Sequence, residues 1–159
     1  MSTQAEVWSW LEDVPDPEIP VVSVVDLGMV RHVAVDGESV IVDVSPTYSG
    51  CPATEVIESS IEKKLIEQGV VNVSVRRVLS PPWTTDWITE SGRDKLREYG
   101  IAPPQQTSDR RELMGKTAIC CPRCGHAGTT LVSEFGSTAC KASYKCDDCL
   151  EPFEYFKCI

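Results

Sequence analysis

The sequence predicts an α+β fold in two parts, a small three-stranded sheet with helices on one face and a separate cysteine-rich β module. Three observations carry that expectation. Helix-like and strand-like periodicities alternate over residues 1–100. A polar, proline-rich stretch over 101–116 then reads as a linker. Two C-x-x-C hooks, Cys121–Cys124 and Cys146–Cys149, stand 21 residues apart within the last segment, 117–159.

Val7, Trp8, Leu11 and Val14 recur at helical spacing, so Gln4 to Val14 is expected to be an amphipathic helix. The run Pro15-Asp16-Pro17-Glu18-Ile19-Pro20 must break it, because each proline fixes φ and removes a donor. Met29 to Val35 and Val40 to Val44 are β-branched runs about Asp36-Gly37, a hairpin signal. Pro46 to Gly50 is a loop, and Cys51-Pro52 is expected to open a helix, since proline suits the first helical position. Val56, Ile57, Ile61 and Leu65 form its apolar stripe, with Gly69 at its end. Val70 to Leu79 reads as a third strand, Arg76 and Arg77 marking an edge or the solvent side. After the turn at Ser80-Pro81-Pro82-Trp83, Thr89 to Tyr99 gives a last helix stopped by Gly100. The order α-β-β-α-β-α is that of an α+β domain.

Charge excludes some functions. The 159 residues carry a formal net charge of −9, and residues 1–100 hold 8 basic against 17 acidic side chains. Residues 117–159 hold 4 and 5. Neither part offers a basic footprint for phosphate backbones, so nucleic acid is not an expected partner. No apolar run is long enough for a membrane span. The first residues lack the basic and apolar regions of a signal peptide. A cytoplasmic location with reduced thiols is therefore expected, and metal ligation accounts for the cysteines better than disulfides do.

Four thiolates delivered by two such hooks suit one tetrahedral ion, and Gly125 tolerates the tight return after Cys124. Thr129 to Phe135 and Ser137 to Tyr144 read as a hairpin turning at Gly136, with Pro152 to Lys157 as a third strand. This is a zinc-ribbon pattern with Cys121, Cys124, Cys146 and Cys149 as ligands and zinc as the structural metal. Four cysteines also hold an iron–sulfur cluster, and Cys140 or His126 offers an alternative ligand. Cys120, Cys140 and Cys158 read otherwise as small buried hydrophobes. His32 is expected at the surface. Trp83 and Trp87 are expected in core packing or domain docking, with the lining of a groove as the alternative.

Cys51 is a thiol of another kind. At a helix start, unpaired N–H groups and the positive dipole end stabilise a thiolate, which makes a better nucleophile and metal ligand. Asp16 and Glu18 lie in a proline-bounded loop that could fold over the same end of the sheet. Two carboxylates beside a thiolate would hold iron or zinc transiently, though their charge also pushes the thiol pKa up. A helix-cap cysteine without chemistry is the alternative reading of the same spacing.

The motifs Asp16-Pro17-Glu18-Ile19-Pro20, Asp26-Leu27-Gly28-Met29-Val30 and Pro46-Thr47-Tyr48-Ser49-Gly50-Cys51-Pro52 resemble the SufT-like metal–sulfur assembly domain family over about residues 5–100. With Phe135-Gly136-Ser137-Thr138-Ala139-Cys140-Lys141 and Glu151-Pro152-Phe153-Glu154-Tyr155-Phe156-Lys157-Cys158, nearly the whole chain resembles the PaaD family of phenylacetate degradation. The resemblance implies an accessory factor for the multicomponent phenylacetyl-CoA ring epoxidase that assists iron or iron–sulfur centre assembly. Cys51 would be its reactive thiol or transient metal ligand, with Asp16 and Glu18 as neighbours and iron or a cluster as cargo. Its implied partners are the oxygenase and reductase components and other iron–sulfur assembly proteins, with a homodimer also compatible. The rival implications are a subunit of the oxygenating enzyme itself or a thiol-dependent enzyme.

Overall fold

The computed structural model describes residues 1–47, 51–104 and 119–156. It divides into two compact units, Met1–Gly92 and Arg93–Ile159. Gly50, most of the expected linker, and Cys158 lie outside the described residues.

In the first unit, α1 spans Gln4–Leu11 and opens on a reciprocal capping box between Thr3 and Glu6. It ends before the expected Val14. Val14 N–H reaches back only to Leu11 O, Val14 O then accepts from Val24 N–H, and Pro15 bridges to Ser23. A residue preceding proline is pushed out of the helical region, which sets this limit. In the loop that follows, Asp16 Oδ1 accepts from the N–H groups of Glu18 (2.8 Å) and Ile19 (2.9 Å). That loop buries Ile19, Val22, Val24 and Leu27.

Strands β1 (Val30–Asp36) and β2 (Ser39–Val44) form the expected hairpin, and Gly37 supplies its positive φ of 62°. Strand β3 (Asn72–Arg77) pairs parallel to β2, Val42 facing Val75, so the sheet order is β1-β2-β3. The parallel pairing requires a crossover, which is helix α2 (Thr54–Glu67). Helix α1 packs on β1 and α2, and α2 packs on β3. Val40, Val42 and Val44 alternate inward from the central strand, and Ile57, Ile61 and Leu65 form the buried stripe of α2. Arg76 and Arg77 lie on the edge strand and form two-pronged pairs with Asp43 and Glu58.

Two expectations for α2 are corrected. Val56 is 51% exposed, and Thr54 takes its place in the buried stripe with Ile57, Ile61 and Leu65. Helical bonding begins two residues late: Thr54 N–H turns back to Cys51 O, and Ile57 N–H to Ala53 O is the first i→i−4 bond. Cys51 and Pro52 therefore form the turn before the helix.

A 3-10 turn at Thr85–Trp87 precedes α3 (Glu90–Glu98), which Gly100 follows with φ 89°. In the second unit, Ile101–Ala102 is a strand, β4, where a linker was expected. It pairs parallel with β7 (Pro152–Phe156), giving the order β4-β7-β6-β5 with β5 at Thr129–Ser133 and β6 at Lys141–Cys146. The β5–β6 connection runs from Glu134 to Cys140, longer than a turn at Gly136, with a bulge between Leu131 and Ser133. Glu154 braces it by accepting from Ser137 N–H and Oγ. The core gathers Ala102, Ile119, Cys121, Cys146, Phe153 and Tyr155, with Tyr144 stacked on Phe153 and edge-on to Tyr155.

Candidate metal centre

The two hooks fold alike. Cys121 N–H donates to His126 O at 2.9 Å, and Cys146 N–H donates to Glu151 O at 3.0 Å, the same five-residue return in each. The residue after each second cysteine has positive φ, 77° at Gly125 and 63° at Leu150. Glycine adopts that region freely, whereas leucine is strained there. The need at Leu150 was not visible in its residue type; only its position relative to Gly125 could have revealed it.

These returns bring the four Sγ atoms within 4.8 Å of one another. Among the described residues, they are the group of three or more His, Cys, Asp or Glu side chains that converges so. Four sulfurs about 2.3 Å from a common tetrahedral centre stand about 3.8 Å apart. Cys121 and Cys149 are 3.8 Å apart and Cys124 and Cys146 3.5 Å, so the donor set fits one ion. Cys121 and Cys146 are buried, while Cys124 and Cys149 are exposed.

Electrostatics within the set agree with that fit. At Cys146 burial pushes the thiol up, but the N–H groups of Cys149 and Asp148 with the neighbouring thiols outweigh it and hold it at about 7. At Cys149 the Glu151 N–H pulls down, yet burial and the other three thiols push it up to about 12. The His126 N–H likewise lowers Cys124, and burial with the Cys146 and Cys121 thiols leaves it raised. Thiols close enough to shift each other's ionisation, with backbone donors facing them, are suited to a shared cation.

The neighbouring candidates stand apart from this set. Exposed Cys120 and His126 are outside it, and so is buried Cys140, whose Sγ lies 3.0 Å from Thr138 Oγ1. In the first unit Cys51 is half-buried, Asp16 buried and Glu18 half-buried. The Asp16 carboxylate closes its own loop, and these three do not form a ligand group of the kind the hooks make. His32 is exposed. Trp83 is core, its Nε1 donating to Leu27 O at 2.8 Å, and half-buried Trp87 carries the Arg31 guanidinium 3.6 Å above its ring.

The Asp26-Leu27-Gly28 motif has a structural account. Asp26 and Ser23 bond reciprocally through backbone and side chain at 3.0 Å. Gly28 has φ 68°, and a Cβ there would run into the backbone and Cβ of Trp87.

Comparison with known proteins places these units. Residues 4–75 match the family model "Iron-sulfur cluster assembly protein", and residues 105–157 match "PaaD zinc beta ribbon domain". A protein of Escherichia coli K12, named as a subunit of "Putative 1,2-phenylacetyl-CoA epoxidase", is 53% identical over 97% of this chain and 92% of its own length. The chain belongs to the PaaD family. Its first unit has solved counterparts. The Domain of Unknown Function DUF59 from Bacillus anthracis is 29% identical with TM-score 0.56, over 58% of this chain and 90% of that one. A conserved hypothetical protein of Thermotoga maritima is 32% identical with TM-score 0.52, over 60% and 94%. This PaaD-family chain thus joins an iron–sulfur-assembly-type α+β domain to a zinc-ribbon module. No helix among its described residues is long and apolar enough to cross a membrane.

Proposed function

We propose that this PaaD-family protein is a maturation factor for a multicomponent phenylacetyl-CoA ring epoxidase, helping to assemble its iron or iron–sulfur centres in the cytoplasm. The observation that carries this reading is the half-exposed thiol of Cys51, in the turn before α2 and inside the segment matched to iron–sulfur cluster assembly. The relative's name supplies the epoxidase. Cys51 offers a soft ligand or nucleophile and Glu18 a hard oxygen donor, while Asp16 fixes the shape of the loop that carries Glu18. Iron or a nascent cluster is cargo here, held briefly and passed on.

Cys121, Cys124, Cys146 and Cys149 would hold zinc, which supplies folding free energy and no redox chemistry. Backbone donors of His126, Asp148, Cys149 and Glu151 spread the charge of the thiolates. The ribbon then serves as a docking module for the oxygenase or reductase component, leaving metal handling to the segment before Gly100. Incubating metal-depleted oxygenase with iron, sulfide and this protein tests the assignment. Wild type should restore metal content, and Cys51→Ser should not; full restoration by the variant removes the thiol from the mechanism. The word "subunit" in the relative's name favours a second reading, a stoichiometric part of the oxygenating enzyme. Fixed-ratio co-purification, with turnover requiring its continued presence after metal loading, would select it.

A further inference from the structure

We propose that the four-sulfur site is a redox-sensitive clasp, opened by peroxide through two disulfides that each cross from one hook to the other. It rests on the zinc reading above. Two close sulfur contacts cross between the hooks. Exposed Cys124 stands 3.5 Å from buried Cys146, and exposed Cys149 stands 3.8 Å from buried Cys121. Each pair thus joins an exposed cysteine to a buried one, and its members belong to different hooks. Reach decides where oxidation starts, and the neighbour decides where it ends.

The chemistry balances with hydrogen peroxide as oxidant. The exposed thiolate of Cys124 attacks one peroxide oxygen; the S–O bond forms, the O–O bond breaks, and hydroxide leaves to take a proton. Cys146 Sγ then attacks the sulfenic sulfur, the S–S bond forms, and the hydroxyl departs as a second hydroxide, which also takes a proton. Two thiolates lose two electrons and one peroxide becomes two waters. Cys149 and Cys121 repeat the sequence with a second peroxide. A disulfide is no longer an anionic ligand, so zinc leaves. Cys121 and Cys146 belong to the core with Ile119, Phe153 and Tyr155, so loss of the ion is felt directly in the packing of the ribbon. An iron-handling factor would in this way withdraw its docking module under oxidative conditions.

The test uses full-length, zinc-loaded protein treated with hydrogen peroxide, with zinc followed by a chromophoric chelator and disulfides mapped by mass spectrometry. Zinc release should be at least about tenfold faster than without peroxide. The linkages should be Cys124–Cys146 and Cys121–Cys149, and thiol reductant plus zinc should reverse the change. Cys120→Ser and Cys140→Ser, which leave all four ligands in place, should release zinc at the wild-type rate with the same linkages. Zinc retained under peroxide overturns the clasp, as do linkages confined to each hook or release that requires Cys120. Protein that purifies and folds without zinc overturns the metal reading and the clasp with it.

Discussion

The first unit buries Val7, Leu11, Ile19, Val42, Ile57, Ile61 and Leu65 around a three-stranded sheet, whereas in the ribbon two hook cysteines, Cys121 and Cys146, belong to the buried cluster with Ala102, Ile119, Phe153 and Tyr155 among the described residues. One unit is held by apolar area that its own side chains supply. In the other, two of the residues that pack the core are also those that would bind the ion. Small modules with few core residues lean on a metal or disulfide for stability, which explains why the same chain uses both solutions. The difference also separates two kinds of thiol, four fixed by backbone returns and one, Cys51, left in a turn.

Chelation should break this comparison most sharply. Structural zinc contributes on the order of 10 kcal/mol to such modules. Its removal should erase amide protection over 119–156 and at Ile101–Ala102, while α1, α2 and β1–β3 keep theirs. Simultaneous loss in both units, read by hydrogen exchange, would show that they do not stabilise separately. Gly28→Ala attacks the other side of the contrast. Positive φ and collision with Trp87 should cost about 3 kcal/mol in denaturant melts of the first unit, with zinc content unchanged.

Protons sharpen the comparison more gently. Cys149, held at about 12, stays a thiol through neutral pH, so zinc must displace its proton and that of Cys124, which is also raised. Cys146, lowered to about 7, adds a third as pH falls through that value. Zinc affinity should therefore weaken by about a hundredfold or more per pH unit near neutrality, more steeply below 7, with calorimetric proton release to match. The first unit should melt unchanged over the same range. Leu150→Gly should have the smallest effect, raising the stability of the zinc-bound ribbon by about 0.5 kcal/mol as relief of left-handed strain exceeds the added chain entropy.

Much of this was legible because the signals were local. The Asp36-Gly37 turn, the inward alternation of Val40, Val42 and Val44, and the paired hooks each state their structure within a few residues. What depended on distant partners was harder to read. Val56 is apolar and adjacent to the stripe, yet the rotation of α2 turns it outward. Ile101-Ala102 stands before two prolines and looks like a linker; its strand character comes from β7, about fifty residues later. How Asp16, Glu18 and Cys51 stand to one another is not written in their spacing, because separate loops carry them. The hooks needed no such information, since each fixes its own sulfurs.

The pairing of β4 with β7 has a practical consequence. A fragment begun at residue 117, where the cysteine-rich sequence starts, would strip β7 of its outer neighbour and leave a row of backbone donors and acceptors bare. Such a peptide would bind its ion and still tend to stick to itself. One begun at Arg93 would carry its own cover and should stay monodisperse at concentrations where the shorter piece precipitates.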